Sequence, residues 1–189
     1  MKFVYLYLLI IYPIYMRNTF GIPIIPENEE LRVNELKTYA VLDGFPDKYF
    51  SQMASIIAQT FSTPIALVSL VASEYVEFKG NFGMEGTNIV ERGISLCSLA
   101  ILDDNLTIFK DAKIEPCLLN NPLVAGAFGL RFYAGAPLKT KNGFNIGTVC
   151  VVDKEPREFL EKEMELLTRF SENIVTELEN RLLLRKNKN

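Results

Sequence analysis

RFYAGAPLKTKNGFNIGTVCVVD, residues 131–153, is the stretch that decides the fold. Its halves, RFYAGAPLKT (131–140) and NIGTVCVVD (145–153), are rich in β-branched and small apolar residues. Lys141-Asn142-Gly143 lies between them. Asn-Gly tolerates the positive φ of a tight turn, so the stretch predicts two antiparallel strands in a hairpin. Upstream, PIALVSLV (64–71) and YVEFKG (75–80) flank Ser73-Glu74 and predict a second hairpin. LTIFKD (106–111) predicts one more strand.

Outward from the strands, the apolar period changes from two to about 3.6. Glu29 to Leu42 places Leu31, Leu36, Tyr39 and Ala40 on one side of a helix, which stops at Asp43-Gly44 with Pro46 beyond. Asp47 to Phe61 keeps Phe50, Met53, Ala54, Ile57 and Phe61 at steps of three and four. SLCSLAIL (95–102) reads as a short helix with Ser95 near its N-cap. Residues 157–185 read as one long helix striped by Leu160, Met164, Leu167, Phe170, Ile174, Leu178 and Leu182. Between these elements, residues 81–94 read as a loop and residues 112–130 as a long irregular crossover broken by Pro116 and Asn120-Asn121-Pro122. A structureless stretch of that length inside a domain is usually functional. The order predicts an α+β fold: a central antiparallel sheet of about five to six strands, helices on one face, and long N- and C-terminal helices.

The 189 residues, half of them apolar, suit one domain with a core that needs neither disulfide nor metal. That domain is expected over residues 26–185, with Pro23 and Pro26 at its junction and a polar tail at 186–189. Residues 1–25 form a hydrophobic N-terminal extension. Its run FVYLYLLIIYPIY (3–15) is too short for a membrane-spanning helix, is interrupted by Pro13, and has no small-residue cleavage site after it. It is a misassigned start with Met16 as the true beginning, a weak membrane anchor, or an arm packed on the domain; the first is preferred.

The formal charge of −3 is scattered, and no basic stripe tracks a phosphate backbone, which argues against nucleic acid as a partner. Histidine is absent, removing the commonest general base, haem ligand, zinc ligand and phospho-accepting residue. Cys97, Cys117 and Cys150 show no C-x-x-C spacing and read as reduced thiols in the cytoplasm. No metal and no cofactor is expected.

Four segments together resemble the GAF domain family, in particular the subgroup found beside histidine kinases and cyclic-di-nucleotide cyclases. They are ELRVNELKTYAVLDGFPDKYF, PIALVSLV with the downstream EFKGNFGM, ERGISLCSLAIL, and RFYAGAPLKTKNGFNIGTVCVVDKEPREF. The subgroup's pattern runs R-L-x-x-L, Y-x-I-L-D-T-x-P-E, S-F-C-x-H-A-I, then R-F-Y-A-G-A-P-L with I-G-T-L-C-V-I-D. The match holds this order over residues 27–182. It departs from the family at the positions that hold prosthetic groups. Leu99 stands where the subgroup commonly has His, the NKFDE signature of cyclic-nucleotide-binding members is missing, and Ser98 follows Cys97 where bilin-binding members have His.

The resemblance implies a non-catalytic sensory or regulatory domain that binds a small ligand or a signalling protein partner. It places Cys97 on a short helix that lines the cavity over the sheet, as a reactive thiol or as a plain core residue. Asp111, Asn121, Arg131 and Tyr133 flank the crossover and are candidates to orient a ligand, with Phe78 from the EFKG stretch on the apolar floor. The plainer alternative is that Asp111 caps a turn and Arg131 pairs with a carboxylate. Two rivals stand beside the sensor. One is a thiol enzyme like the free methionine-R-sulfoxide reductases, which use cysteines of this pocket. The other is a structural dimerisation module whose pocket is filled by side chains such as Phe128 and Phe132. Because such domains commonly pair through terminal helices, a homodimer is expected, with Ile174, Leu178 and Leu182 extending beyond the sheet as its interface.

Overall fold

The computed structural model describes residues 17–40 and 47–187. Among the described residues, eleven helices and strands follow one another, apart from two short 3-10 turns. They are α1 (Glu29–Ala40), α2 (Lys48–Phe61), β1 (Ile65–Val71), β2 (Tyr75–Phe82), β3 (Ile89–Glu91), α3 (Cys97–Ala100), β4 (Thr107–Phe109), α4 (Pro122–Ala125), β5 (Phe132–Lys139), β6 (Asn145–Asp153) and α5 (Glu161–Lys186). The strands form one antiparallel sheet in the order β3-β2-β1-β6-β5-β4.

Composition explains that order. Every residue of β1, and all but the last of β6, is buried, so these apolar strands occupy the centre. The edges β3 and β4 are only three residues each, which leaves little unpaired backbone exposed. At the β5–β6 turn Gly143 takes φ 85°, and the Thr140 carbonyl accepts from its amide at 2.8 Å. β3 lies inside the stretch read as a loop; three residues on an edge carry no periodicity to read.

Alternation along the strands sends side chains into two cores. Ala66, Val68 and Leu70 of β1, with Phe132, Ala134 and Ala136 of β5 and Val149 and Val151 of β6, face α1, α2 and α5. Ile65, Leu67, Val71, Phe78, Tyr133, Cys150 and Val152 face the other way, under α3, the crossover and the N-terminal segment. The three long helices therefore share one face. The Asp47 carboxylate caps α2, accepting from Tyr49 and Phe50 amides at 2.8 and 3.2 Å. Its second oxygen accepts from Arg181 at 2.6 Å and ties α5 to α2.

Several expectations are corrected. Ile174 and Leu178 do not extend beyond the sheet; they are 0% and 2% exposed within this single chain, packed in the helical-face core, with Leu182 partly buried against it. The sheet and α2 consume the stripe. The exposed leucines of α5 are Leu166, Leu183 and Leu184. In α1, Leu31 is 61% exposed while Arg32 is 1% exposed, because the Glu29 carboxylate receives Arg32 at 2.8 Å and also Arg92, itself fully buried. Arg92 donates onward to the carbonyls of Ile24 and Ala72, both at 3.1 Å, so this ion cluster joins α1, the N-terminal segment and the β1–β2 turn. Ser95 does not cap α3: Leu96 holds that position, without a side-chain bond. The long helix begins at Glu161 rather than 157, where Glu163 accepts from the Leu160 amide at 2.7 Å.

The folded body also begins before residue 26, since Phe20 and Ile24 are buried in the second core. The apolar run 3–15, the expected helix stop at Asp43-Gly44 and Pro46, and the last two residues of the polar tail lie outside the described residues. Among those described, no helix is long and apolar enough to cross a membrane.

Candidate functional site

The second face of the sheet carries a small, mostly apolar cavity of about 40 Å³. Its floor is Leu67 of β1, Phe78 of β2, Tyr133 of β5, and Cys150 and Val152 of β6. Leu96 and Cys97 at the start of α3 form one wall, and Met84 and Val90 another. Leu123, Phe128 and Leu130 of the crossover close the top. Ligand pockets commonly measure about 300–1,000 Å³, whereas this space holds little more than a few waters.

The crossover is built to lie over the sheet. It makes 3-10 turns at Ala112–Ile114 and Pro116–Leu118, then α4. Asn121 is fully buried and fastens it: the side-chain amide donates to Thr19 Oγ1 at 3.0 Å and to the Ile94 carbonyl at 2.8 Å, and Oδ1 accepts from the Leu123 amide at 2.9 Å. The Leu123 carbonyl in turn accepts from the Leu130 amide at 2.9 Å, closing a loop that presents Phe128 downward. The Lys154 ammonium sits 5.4 Å from the Phe128 ring centroid.

Polar groups converge on the floor. Tyr133 is 2% exposed, and its ring lies over Gly135, where a Cβ would collide with the phenol. Its hydroxyl is close to Cys97, Cys150 and Thr148, yet in hydrogen-bond geometry with none of them. Burial, then the neighbouring thiols, push its pKa well above the usual tyrosine value. Cys97 Sγ and Cys150 Sγ are 4.0 Å apart and both buried. Beside them Ser69 Oγ and Thr148 Oγ1 share a hydrogen bond of 2.9 Å. Cys97 is drawn below the ordinary thiol value chiefly by its contact with Cys150, and then by the nearby Ser69, Thr148 and Tyr133 hydroxyls, against the cost of burial. Cys150 is pushed up by the same shared bond, by burial, and by the charge Cys97 takes on.

Of the six residues expected at a ligand site, the cavity brings together Phe78, Cys97 and Tyr133. Asp111, Asn121 and Arg131 do not line it. Arg131 donates two bonds to Asp111, at 2.7 and 2.6 Å, and Asp111 also caps the 3-10 turn by accepting from the Lys113 amide at 3.1 Å. These carboxylate and guanidinium groups satisfy each other, and the Asp111 pKa is lowered chiefly by that Arg131 bond. Phe128 lines the cavity, but Phe132 points to the opposite core. Cys150, Met84, Val90 and Leu123 were not anticipated. Strand alternation from Tyr133, with the pairing of Gly135 to Cys150, was the available signal for Cys150. Cys117 lies half-buried in the crossover and does not line the cavity. Among the described residues, no three His, Cys, Asp or Glu side chains gather as a metal site.

An antiparallel sheet with long helices on one face and a small apolar cavity on the other defines an α+β domain of the GAF-like fold. The chain belongs to the GAF domain family, whose sequence profile matches residues 46–178. It is 33% identical over 157 residues to a cyclic di-GMP phosphodiesterase of Pseudomonas aeruginosa. That match covers 82% of this chain but 27% of the relative, so this chain spans about a quarter of the relative's length. Among solved structures, it resembles the GAF domain of an Acinetobacter phosphoenolpyruvate-protein phosphotransferase, with TM-score 0.59 at 12% identity over 82% of this chain and 98% of that one. It also resembles a free methionine-R-sulfoxide reductase from Thermoplasma acidophilum, with TM-score 0.58 at 14% identity over 72% and 94% of the two chains. At these identities the likeness is one of fold.

Proposed function

We propose that this chain is a non-catalytic receiver domain for cytoplasmic signalling. A small molecule, apolar over most of its surface and carrying one hydrogen-bonding group, enters between the crossover and the sheet. Its arrival shifts the crossover and, through the sheet, the helices that a signalling partner or a second copy contacts. The supporting observation is the Tyr133 hydroxyl, buried on the cavity floor without a partner. An unsatisfied buried hydroxyl costs about 1–3 kcal/mol. A purely structural core would shed that cost by using Phe; a binding site retains it because the ligand completes the bond. Because Ile174 and Leu178 are committed to the core, the homodimer we propose forms through the exposed Leu183 and Leu184 at the end of α5.

The scaffold reading is favoured by the small size of the cavity, since only about 40 Å³ is left among Phe128 and its neighbours. The same small volume weighs against a methionine-sulfoxide reductase, because a free amino acid needs more room beside Cys97. Native mass spectrometry of the protein purified from its own cells separates sensor from scaffold. The sensor carries a non-covalent small molecule at one per chain; a chain found entirely at its bare mass would establish the filled scaffold.

A further inference from the structure

The cavity is lined by a pair of thiols, one on its wall and one on its floor, that small-molecule binding does not use. Cys97 stands at the first turn of α3 and Cys150 in the middle of β6, far apart in sequence. The fold brings their Sγ atoms to 4.0 Å, while a disulfide needs about 2.05 Å. Closing that gap requires side-chain rotation at one or both cysteines, and a change of staggered χ1 well moves Sγ by more than an ångström. Among the described residues no carboxylate lines the cavity to repel a thiolate, and Ser69, Thr148 and Tyr133 supply hydroxyl groups around Cys97. A cavity of about 40 Å³ excludes an amino acid or a nucleotide yet admits an oxidant of nearly water size.

We propose that Cys97 and Cys150 form an oxidation site at which hydrogen peroxide converts two thiols to a reversible intramolecular disulfide. The Cys97 thiolate attacks one peroxide oxygen; the O–O bond breaks, hydroxide leaves, and Cys97 becomes a sulfenic acid. The Cys150 sulfur then attacks Cys97 Sγ, the S–O bond breaks, and a second hydroxide departs. The thiol protons convert both hydroxides to water. Two thiols are oxidised by two electrons, and one peroxide is reduced to two waters. The new bond pins α3 to β6 across the cavity floor, and a dithiol reductant restores the open pair. This oxidation site does not depend on the ligand reading above.

The test uses the full reduced chain, exposed to hydrogen peroxide while folded. It is then unfolded in alkylating reagent without reductant and mapped as peptides by mass. The expected result is a chain about 2 Da lighter before alkylation, from loss of two hydrogens. Cys97 and Cys150 appear in one cross-linked peptide pair, and Cys117 remains alkylated. A dithiol reverses the cross-link, and Cys117→Ser leaves it unchanged. In Cys150→Ser the Cys97 sulfenic acid persists and is trapped by a dione reagent. Should that variant not fold, the wild-type peptide map decides alone. Cys97 and Cys150 both alkylated at a peroxide dose that oxidises Cys117, or a disulfide that includes Cys117, would overturn the proposal. So would a cross-link that forms only after unfolding in urea.

Discussion

Changing Tyr133 to Phe removes one oxygen atom from the protein interior, and the structure sets the sign of the result. The hydroxyl is buried and without a partner, so its loss relieves a desolvation cost of about 1–3 kcal/mol while breaking no well-formed bond. Its weak interactions with Cys97 and Thr148 return part of that, leaving an expected gain of about 1–2 kcal/mol. For a domain of this size the gain corresponds to a rise in Tm of roughly 2–8 °C. The matching control is Tyr39→Phe. Tyr39 is also buried, but it lies beside acidic neighbours, and burial together with Glu179 and Glu35 pushes its pKa up to about 12. A neutral phenol beside two carboxylates is favourably placed, so this variant should melt earlier. Urea unfolding followed by circular dichroism reads both changes, with equal slopes confirming that only stability moved. If Tyr133→Phe is destabilised as much as Tyr39→Phe, the hydroxyl has a partner and the argument for a ligand-completed bond is wrong.

The remaining predictions follow from burial and charge. Leu178→Ala should cost about 2–5 kcal/mol in unfolding experiments, and Leu178→Glu should prevent folding rather than yield a folded monomer, because the side chain lies in the core. Glu29→Ala should cost about 3–5 kcal/mol by stranding Arg32 and Arg92, both buried. Burial alone would raise the Glu29 pKa, but the bonds from Arg32 and Arg92 outweigh it and hold the carboxyl below its ordinary 4.5. A depressed carboxyl contributes stability above its unfolded pKa and loses it as pH falls through the folded value. Urea midpoints of the wild type should therefore decline on acidification below about pH 4.5, and those of Glu29→Gln should decline less. Deleting the chain through residue 25 removes Phe20 and Ile24 from the second core, and calorimetry should show a loss of about 3–6 kcal/mol.

The strands were legible because their residues carry their own instructions. β-branched runs closed by Asn142-Gly143 leave few alternatives to a hairpin, and the α2 stripe buries as its spacing implies. What failed depended on partners that lie elsewhere in the chain. The α5 stripe shows that Ile174 and Leu178 are buried, but a one-dimensional pattern does not say whether a sheet or a second chain buries them. Leu31 and Arg32 exchange places because Glu29 neutralises Arg32, a contact whose other half, Arg92, lies sixty-three residues away. Asp111 and Arg131 looked like unclaimed polar groups beside a pocket, and they claim each other. Cys97 and Cys150 carry no spacing motif, and only the register that places Gly135 against Cys150 brings them under one lid.

The central claim is that the crossover over the second face is a lid, and amide hydrogen exchange of the ligand-free protein tests it most directly. A cavity of about 40 Å³ admits a ligand only if residues 112–130 lift without unfolding the sheet. Amides such as those of Val124 and Leu130 should then exchange by a sub-global opening, with a free energy well below that of the central strands β1 and β6. If the crossover exchanges only by global unfolding, with the same free energy as those strands, it is a fixed part of the core and the sensor account fails.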